Sequence, residues 1–275
     1  MNKTVTIDHS HAARADATAD AGAAVDGAPL PATQPLLDLP HGEARASLLA
    51  VHAILDMKLP RTGLSIYEAG GGSTCFLPLE ILRRAHVTVV DIDEDQIRSN
   101  DYAQETILGD IQTYRFPPGS FDLVICYNVI EHLADVEAAL LRFCEALKQG
   151  GLILIGAPNP KSLSGVITRY SPHWFHVWFY RYVRGEKQAG QRGQPPFPTC
   201  FHPLVALSNL ENFASTHGLQ MIYRKQYESP RYPEMRARQP VLAALLDTVA
   251  RVMNLMLPGN ADVRRGDYHV ILRKR

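Results

Sequence analysis

The sequence predicts an α/β fold of the open, doubly wound kind: a mostly parallel seven-stranded sheet, plus helical and aromatic insertions. Three observations carry this expectation. From Leu64 to Pro158, short apolar runs alternate with amphipathic ones. Runs such as Leu123-Val124-Ile125-Cys126 and Leu152-Ile153-Leu154-Ile155 are apolar at every position, which suits parallel strands buried on both faces. Finally, the run Leu64 to Glu68 feeds directly into Gly70-Gly71-Gly72, and the next apolar run, His86 to Asp91, ends in an acid. A strand, a glycine turn and a helix in that order bring backbone N–H groups close to a nucleotide-like ligand.

Residues 1–40 are rich in Ala, Asp, Pro and Gly, with few large apolar side chains before Leu36. They bury too little surface to offset the entropy of ordering, so a disordered or loosely docked arm is expected there. The folded domain then runs over 41–275, with its ligand-binding core at 64–158. In His41 to Lys58, Leu48, Val51 and Leu55 keep helical spacing, and Pro60 and Gly63 end that helix. Strands are expected at 64–68, 87–91, 106–108, 121–126 and 151–156, and helices at 74–84, 94–100 and 135–148.

Residues 159–200 form an insertion. Pro172 to Gly185 holds Trp174 and Trp178, two Phe and two Tyr, among His173, His176, Arg181 and Arg184, and a mobile loop is expected to follow as far as Pro198. A substrate lid, an interfacial membrane element and an added packing layer all fit this composition, and the lid fits best. A helix over 200–218, stopped by Gly218, leads into a strand at 219–227. A second insertion, 230–266, contains an apolar helix at 240–258 whose Asp247, Arg251 and Asn254 share one stripe. Asp247 and Arg251 are placed to pair across one turn. Few Lys or Arg line that polar stripe, so core packing or self-association as a homodimer suits the apolar face better than a headgroup layer. Tyr268 to Lys274 is the closing strand.

Lys+Arg and Asp+Glu both number 28, so the net charge is zero and gives no reason to expect a nucleic-acid partner. The four cysteines stand far apart and read as reduced thiols. The first residues lack the apolar block of a secretory signal, and no uncharged run approaches the ~20 residues of a membrane span. A cytoplasmic location is expected, with contact at a membrane surface left open.

Asp91 lies roughly 20 residues beyond the first glycine, the spacing at which a carboxylate at a strand end takes hydrogen bonds from a ribose diol. A dinucleotide and S-adenosylmethionine both carry that diol. The dinucleotide pattern wants a glycine where Cys75 stands, and its pyrophosphate would sit beside Glu68. A cationic sulfonium and ammonium favour the same acid.

Glu68-Ala69-Gly70-Gly71-Gly72 after a strand, followed by Asp91, resembles the class I S-adenosylmethionine-dependent methyltransferases, whose Rossmann-like seven-stranded sheet implies an antiparallel last strand here. Gly109-Asp110-Ile111, Phe121 to Leu133 and Gly150 to Ile155 resemble further motifs of that family, in the same order. The resemblance implies that S-adenosylmethionine binds at Glu68, Ala69, Gly70, Gly71 and Gly72, with Asp91 on the ribose and Ile92 on the adenine face. It places Asp110 and Ile111 at the base's edge, and Tyr127 and Asn128 beside the sulfonium. It also implies that the helix over 41–58 covers the cleft, although packing on the sheet edge accounts for that helix equally well.

The implied reaction is methyl transfer to a small or lipid-like molecule, most plausibly at oxygen. His132, His202 and His173 are the candidate general bases, His202 by its position at a helix start. For His132 and His202, hydrogen bonding to a nearby loop is the alternative role. No metal site is implied, because Asn128 replaces the first acid of the Glu-x-x-Glu-His run that supports metal dependence in the ubiquinone-type O-methyltransferases. A nicotinamide-dependent oxidoreductase and a non-catalytic interaction module are the rival readings.

Overall fold

The computed structural model describes residues 5–7, 42–183, 185–191, 196–200, 202–256 and 262–275. Most of the arm expected at 1–40, and part of the loop expected before Pro198, fall outside the described residues.

The fully apolar runs become the centre of one sheet. Its strands are β1 (Val5–Ile7), β2 (Leu64–Ala69), β3 (Ala85–Asp91), β4 (Glu105–Leu108), β5 (Phe121–Tyr127), β6 (Leu147–Pro158), β7 (Leu219–Tyr227) and β8 (Asp267–Lys274). They lie in the order β1-β4-β3-β2-β5-β6-β8-β7. Neighbours from β1 to β6 are parallel, and β8 is antiparallel to both β6 and β7. The seven strands β2 to β8 are those the sequence predicts. β1 is an addition that the arm's composition does not announce: Thr6 pairs with Ile107 and extends the sheet by one edge strand.

The helices are α1 (Gly42–Lys58), α2 (Leu79–Leu82), α3 (Glu94–Ser99), α4 (Val136–Ala146), α5 (Leu163–Tyr170), α6 (His173–Trp178), α7 (Leu207–Thr216), α8 (Arg231–Arg238) and α9 (Pro240–Met256). They cover both faces, which is why adjacent strand residues are both buried. Tyr67, Val124 and Ile153 join Phe143 of α4 and Leu210 of α7 on one side. Ile66, Ile125 and Leu154 join Val51 and Leu55 of α1 on the other. Each fully buried aliphatic side chain contributes about 1.5–3 kcal/mol. Side-chain caps fix three helix starts: Asp93 accepts from the amides of Asp95 and Gln96, Asp135 from Ala138 and Ser162 from Gly165.

Several local expectations are corrected. The helix expected over 74–84 shrinks to the four residues of α2, because Pro78 is extended and disfavours helical backbone in the residue before it. The helix expected over 200–218 divides into a 3-10 turn, Pro203–Val205, and α7. Asp247 does not pair with Arg251; it lies 3.2 Å from Arg236 of α8 and accepts from the Tyr232 hydroxyl. Nor is 185–191 a free loop, since Ala189 is buried and its carbonyl accepts from Arg181 Nη2 at 2.7 Å.

Strand order reverses between β2 and β5, one run continuing to β3 and β4 and the other to β6. Ligands of open α/β sheets bind beyond the carboxyl ends of the strands at such a switch point.

Candidate functional site

A cavity of about 210 Å³ opens at that point, walled by Glu68 to Gly71 at the end of β2 and by Tyr127 to Val129 at the end of β5. Thr74 and Phe76 complete the lining. Of the residues expected at the site, Glu68, Ala69, Gly70, Gly71, Tyr127 and Asn128 line this cavity together.

The turn at its floor needs glycine. Gly70 has φ +72°, and a Cβ there would stand 2.7 Å from both γ-carbons of Val129. A Cβ on Gly71 would stand 2.6 Å from Cγ of Glu68. The missing side chains are therefore what leaves backbone bare at the cavity wall. The turn is also pinned from outside: Asn100 Nδ2 donates to the Gly72 carbonyl at 2.7 Å, and Gln96 Oε1 accepts from the amide and hydroxyl of Ser73.

Glu68 is only 3 % exposed, and the Tyr102 hydroxyl donates to its Oε2 at 2.9 Å. Burial pushes its pKa up to about 7, against smaller opposing effects from Tyr102 and Cys75. The acid that the sequence places here as a fixed negative charge is thus partly protonated at neutral pH, because the strand end that carries it is dry.

Asp91, at the end of β3, accepts from the Gly72 amide at 3.0 Å and from the Asp93 amide at 2.9 Å. Burial raises its pKa, and those amides oppose the shift. Ile92, next along, is 76 % exposed, an apolar side chain presented to solvent beside this acid. The Asp110 carboxylate is held by the backbone and side-chain amides of Gln112. The Ile111 side chain belongs to the core and is not presented to the cavity wall.

Across the cavity, Tyr127 stacks on Phe76, with ring centroids 4.4 Å apart. Asn128 has φ +56°, the left-handed region that asparagine tolerates better than most residues, and its amide donates to the Gly156 carbonyl at 2.7 Å. Among the described residues it is the one non-glycine with positive φ, and it sits on the cavity wall. Strained backbone of this kind concentrates at functional sites.

Behind Tyr127 lies a group that spacing does not reveal. The Tyr127 and Tyr227 hydroxyls are 2.7 and 2.8 Å from Nε2 of His269, and Ser47 Oγ is 2.8 Å from its Nδ1. His269 is 1 % exposed on β8, and burial drives its pKa down to about 4, so it is a neutral hydrogen-bonding post. His52 of α1 adds a bond from its Nε2 to the Phe76 carbonyl at 2.9 Å. Helix α1 is thereby tied to both residues of the Phe76–Tyr127 stack, to Phe76 at its backbone carbonyl and to Tyr127 through Ser47 and His269.

The three histidines expected as bases lie outside the lining. His132, in the 3-10 turn Ile130–His132, is the nearest in sequence to Asn128 and Val129. Its Nδ1 is 2.6 Å from the Pro198 carbonyl, and burial holds its pKa below the usual histidine range. His202 caps the turn that begins at Pro203, its Nδ1 accepting from the Leu204 amide. His173 opens α6 and is exposed. The segment 196–200 returns across the His132 turn, the Cys200 amide donating to the Glu131 carbonyl at 2.9 Å. Among the described residues no group of three or more His, Cys, Asp or Glu is placed to hold a metal ion.

A family model described as a methyltransferase domain matches residues 68–155, from the acid at the end of β2 to the centre of β6. A ubiquinone biosynthesis O-methyltransferase of Caulobacter vibrioides is 29 % identical over 171 residues, covering 54 % of this chain and 67 % of that one. A malonyl-[acyl-carrier protein] O-methyltransferase of Yersinia pestis is 27 % identical over 115 residues, 41 % of this chain and 43 % of the relative. The match thus spans about two thirds of the first relative and less than half of the second. Among solved structures, phosphoethanolamine N-methyltransferase 2 of Haemonchus contortus in complex with S-adenosyl-L-methionine superposes with a TM-score of 0.51 at 19 % identity. That alignment covers 86 % of this chain and 53 % of the other, and it supports the fold alone.

Proposed function

We propose that this chain, which belongs to the class I S-adenosylmethionine-dependent methyltransferases, moves the methyl group to an oxygen atom of a small or lipid-like acceptor. The observation that carries the reading is the bare floor of the cavity, where a Cβ on Gly70 or Gly71 would collide with the Val129 or Glu68 side chain that lines it. A buried carboxylate closes one end, and no phosphate-sized cluster of cations lines the described wall. These residues fit a ligand with a cationic end and a ribose: Gly70 and Gly71 bring backbone to the methionine portion, Glu68 faces the cationic end, and Asp91 takes the ribose hydroxyls.

S-adenosylmethionine, when bound, supplies a methyl group already activated for in-line displacement. The work left to the chain is alignment and exclusion of water. Phe76 and Tyr127 form an apolar wall beside the reacting end, held by His52 and His269. Asn128 fixes the course of the chain at the mouth. An acceptor hydroxyl also needs its proton removed. His132 fits this role best of the three candidates, because its turn follows the cavity wall directly and its lowered pKa keeps it neutral and able to accept. The segment 196–200 above it serves as the lid. Oxygen as the acceptor atom is supported by the O-methyltransferase activities of the Caulobacter and Yersinia relatives.

Incubation with methyl-labelled donor and separated aqueous and lipid extracts tests the reading. Label is expected in an ether or ester of one fraction; label found only on nitrogen, or preferential binding of NADH, refutes it. Asp91→Ala is expected to weaken donor binding at least about tenfold by calorimetry, through loss of charge-assisted hydrogen bonds worth roughly 1.5–3 kcal/mol each. Unchanged affinity in the folded variant removes Asp91 from the site.

A further inference from the structure

The cavity leaves unexplained the most conspicuous surface of the molecule. Tyr170, Trp174, Trp178 and Tyr182 recur every fourth residue through α5, α6 and the π-helical turn Phe179–Val183. All four rings are exposed, Trp174 at 69 %. Helix α9 presents a second apolar ridge. Val241, Leu245, Val249, Val252 and Met256 follow helical spacing on one side and are exposed, while Ala243 and Ala250 on the opposite side are buried. The two ridges belong to one unit: Ala250 packs with Leu163 of α5, and a Cβ on Gly185 would stand 3.6 Å from Arg238, two residues before α9.

The charge around them is uneven. In a chain of zero net charge, residues 159–200 hold Lys161, Arg169, Arg181, Arg184, Lys187 and Arg192 against the single acid Glu186. Lys161, Arg169 and Lys187 are exposed, and α8 and α9 add exposed Arg238 and Arg251 beside the exposed Glu234. Two copies meeting through this face would bring like charges together, since a two-fold contact joins the same patch on each subunit. An anionic lipid surface has the opposite sign, and each basic residue near it contributes about 1 kcal/mol. Tyr and Trp are the side chains that settle at the headgroup level, apolar ring inward and polar atom outward. Among the described residues no helix is long and apolar enough to cross a membrane, so the contact is one of lying on the surface.

We infer that α5, α6 and α9 form a docking surface for an anionic phospholipid bilayer. The unit follows β6, whose carboxyl end lies beside that of β5 and the cavity, so docking sets the cavity mouth near the lipid. This deepens the proposed function and rests on it in one respect: the acceptor becomes an amphiphile drawn from the bilayer.

Trp174 and Trp178 are the chain's two tryptophans, so its emission reports on this surface alone. The full chain, without donor or acceptor, is mixed with vesicles of phosphatidylcholine and with vesicles containing phosphatidylglycerol. Co-sedimentation with the anionic vesicles, a blue shift of emission and quenching by brominated lipid are expected, all weakened by salt. Trp174→Ser combined with Leu245→Glu, both at exposed positions, should lower partitioning roughly tenfold or more with circular dichroism and donor affinity unchanged. Absence of vesicle binding overturns the inference. So does equal binding to neutral vesicles, or a homodimer in solution that Leu245→Glu dissociates. Each of these results leaves donor binding, and hence the proposed function, to be judged separately.

Discussion

Gly70→Ala is expected to weaken S-adenosylmethionine binding by roughly a hundredfold, equivalent to about 2.7 kcal/mol. Two effects add. Alanine in the left-handed region, where Gly70 sits at φ +72°, costs about 1–2 kcal/mol. The new methyl would also stand 2.7 Å from the γ-carbons of Val129, and overpacking of this kind costs about 1–3 kcal/mol. Relief of either effect moves the turn that forms the cavity floor, so the loss falls on ligand binding. The double variant Gly70→Ala/Val129→Ala removes the clash and keeps the backbone strain, and should recover about tenfold of the lost affinity. Calorimetric titration beside a thermal melt separates binding from stability. An unchanged dissociation constant for the single variant would remove the glycine turn from the site.

The second large effect is a pH dependence centred on Glu68. The folded protein holds this proton up to about 7, whereas the ordinary value for an unburied glutamate is 4.5. The folded state therefore binds more protons than the unfolded chain across that interval. Stability falls as pH rises from 4.5 to 7, by about 3 kcal/mol in total. A cationic ligand end reverses the preference, because it favours the carboxylate. Donor affinity is then expected to fall about tenfold per unit below pH 7 and to level off above it, for a loss of roughly thirtyfold between pH 7.5 and 5.5. Calorimetry at pH 6 in buffers of different ionisation enthalpy should show close to one proton released on binding. Glu68→Gln, which keeps an acceptor for Tyr102, should bind weakly at every pH and show no such release. A flat affinity profile for the unaltered protein would mean that Glu68 does not meet the ligand's charge.

Much of the fold is legible in the sequence because strands buried on both faces, such as Leu123–Cys126 and Leu152–Ile155, have no polar position to blur them. The glycine turn and Asp91 are legible because spacing along a strand–turn–helix unit translates directly into distance. Other features depend on contacts that linear spacing does not encode. His269 looks like an ordinary residue of a final strand, and only the insertion of β8 between β6 and β7 brings it to Tyr127. Gln96, Asn100 and Tyr102 pin the turn through bonds to Gly72, Ser73 and Glu68, a role with no signature beyond polar side chains in and just after α3. Pro78 could have warned against the helix at 74–84. For histidines, residue type says little: His132 and His202 both have backbone neighbours within hydrogen-bond reach, and a base and a loop anchor look alike before the loops are placed.

The place of β8 in the sheet also bears on how the protein is made. In the described structure β7 pairs only with β8, and β8 follows it in the chain after the whole α8–α9 excursion. During translation, β2 to β6 can assemble as they emerge, whereas β7 waits with an unpaired edge until Asp267–Lys274 has left the ribosome. His269 arrives in the same late step, so the post behind Tyr127 is among the last parts of the cavity wall to be set in place. A chain released before β8 is made would thus expose a bare β7 and an apolar helix together, a combination suited to capture by chaperones.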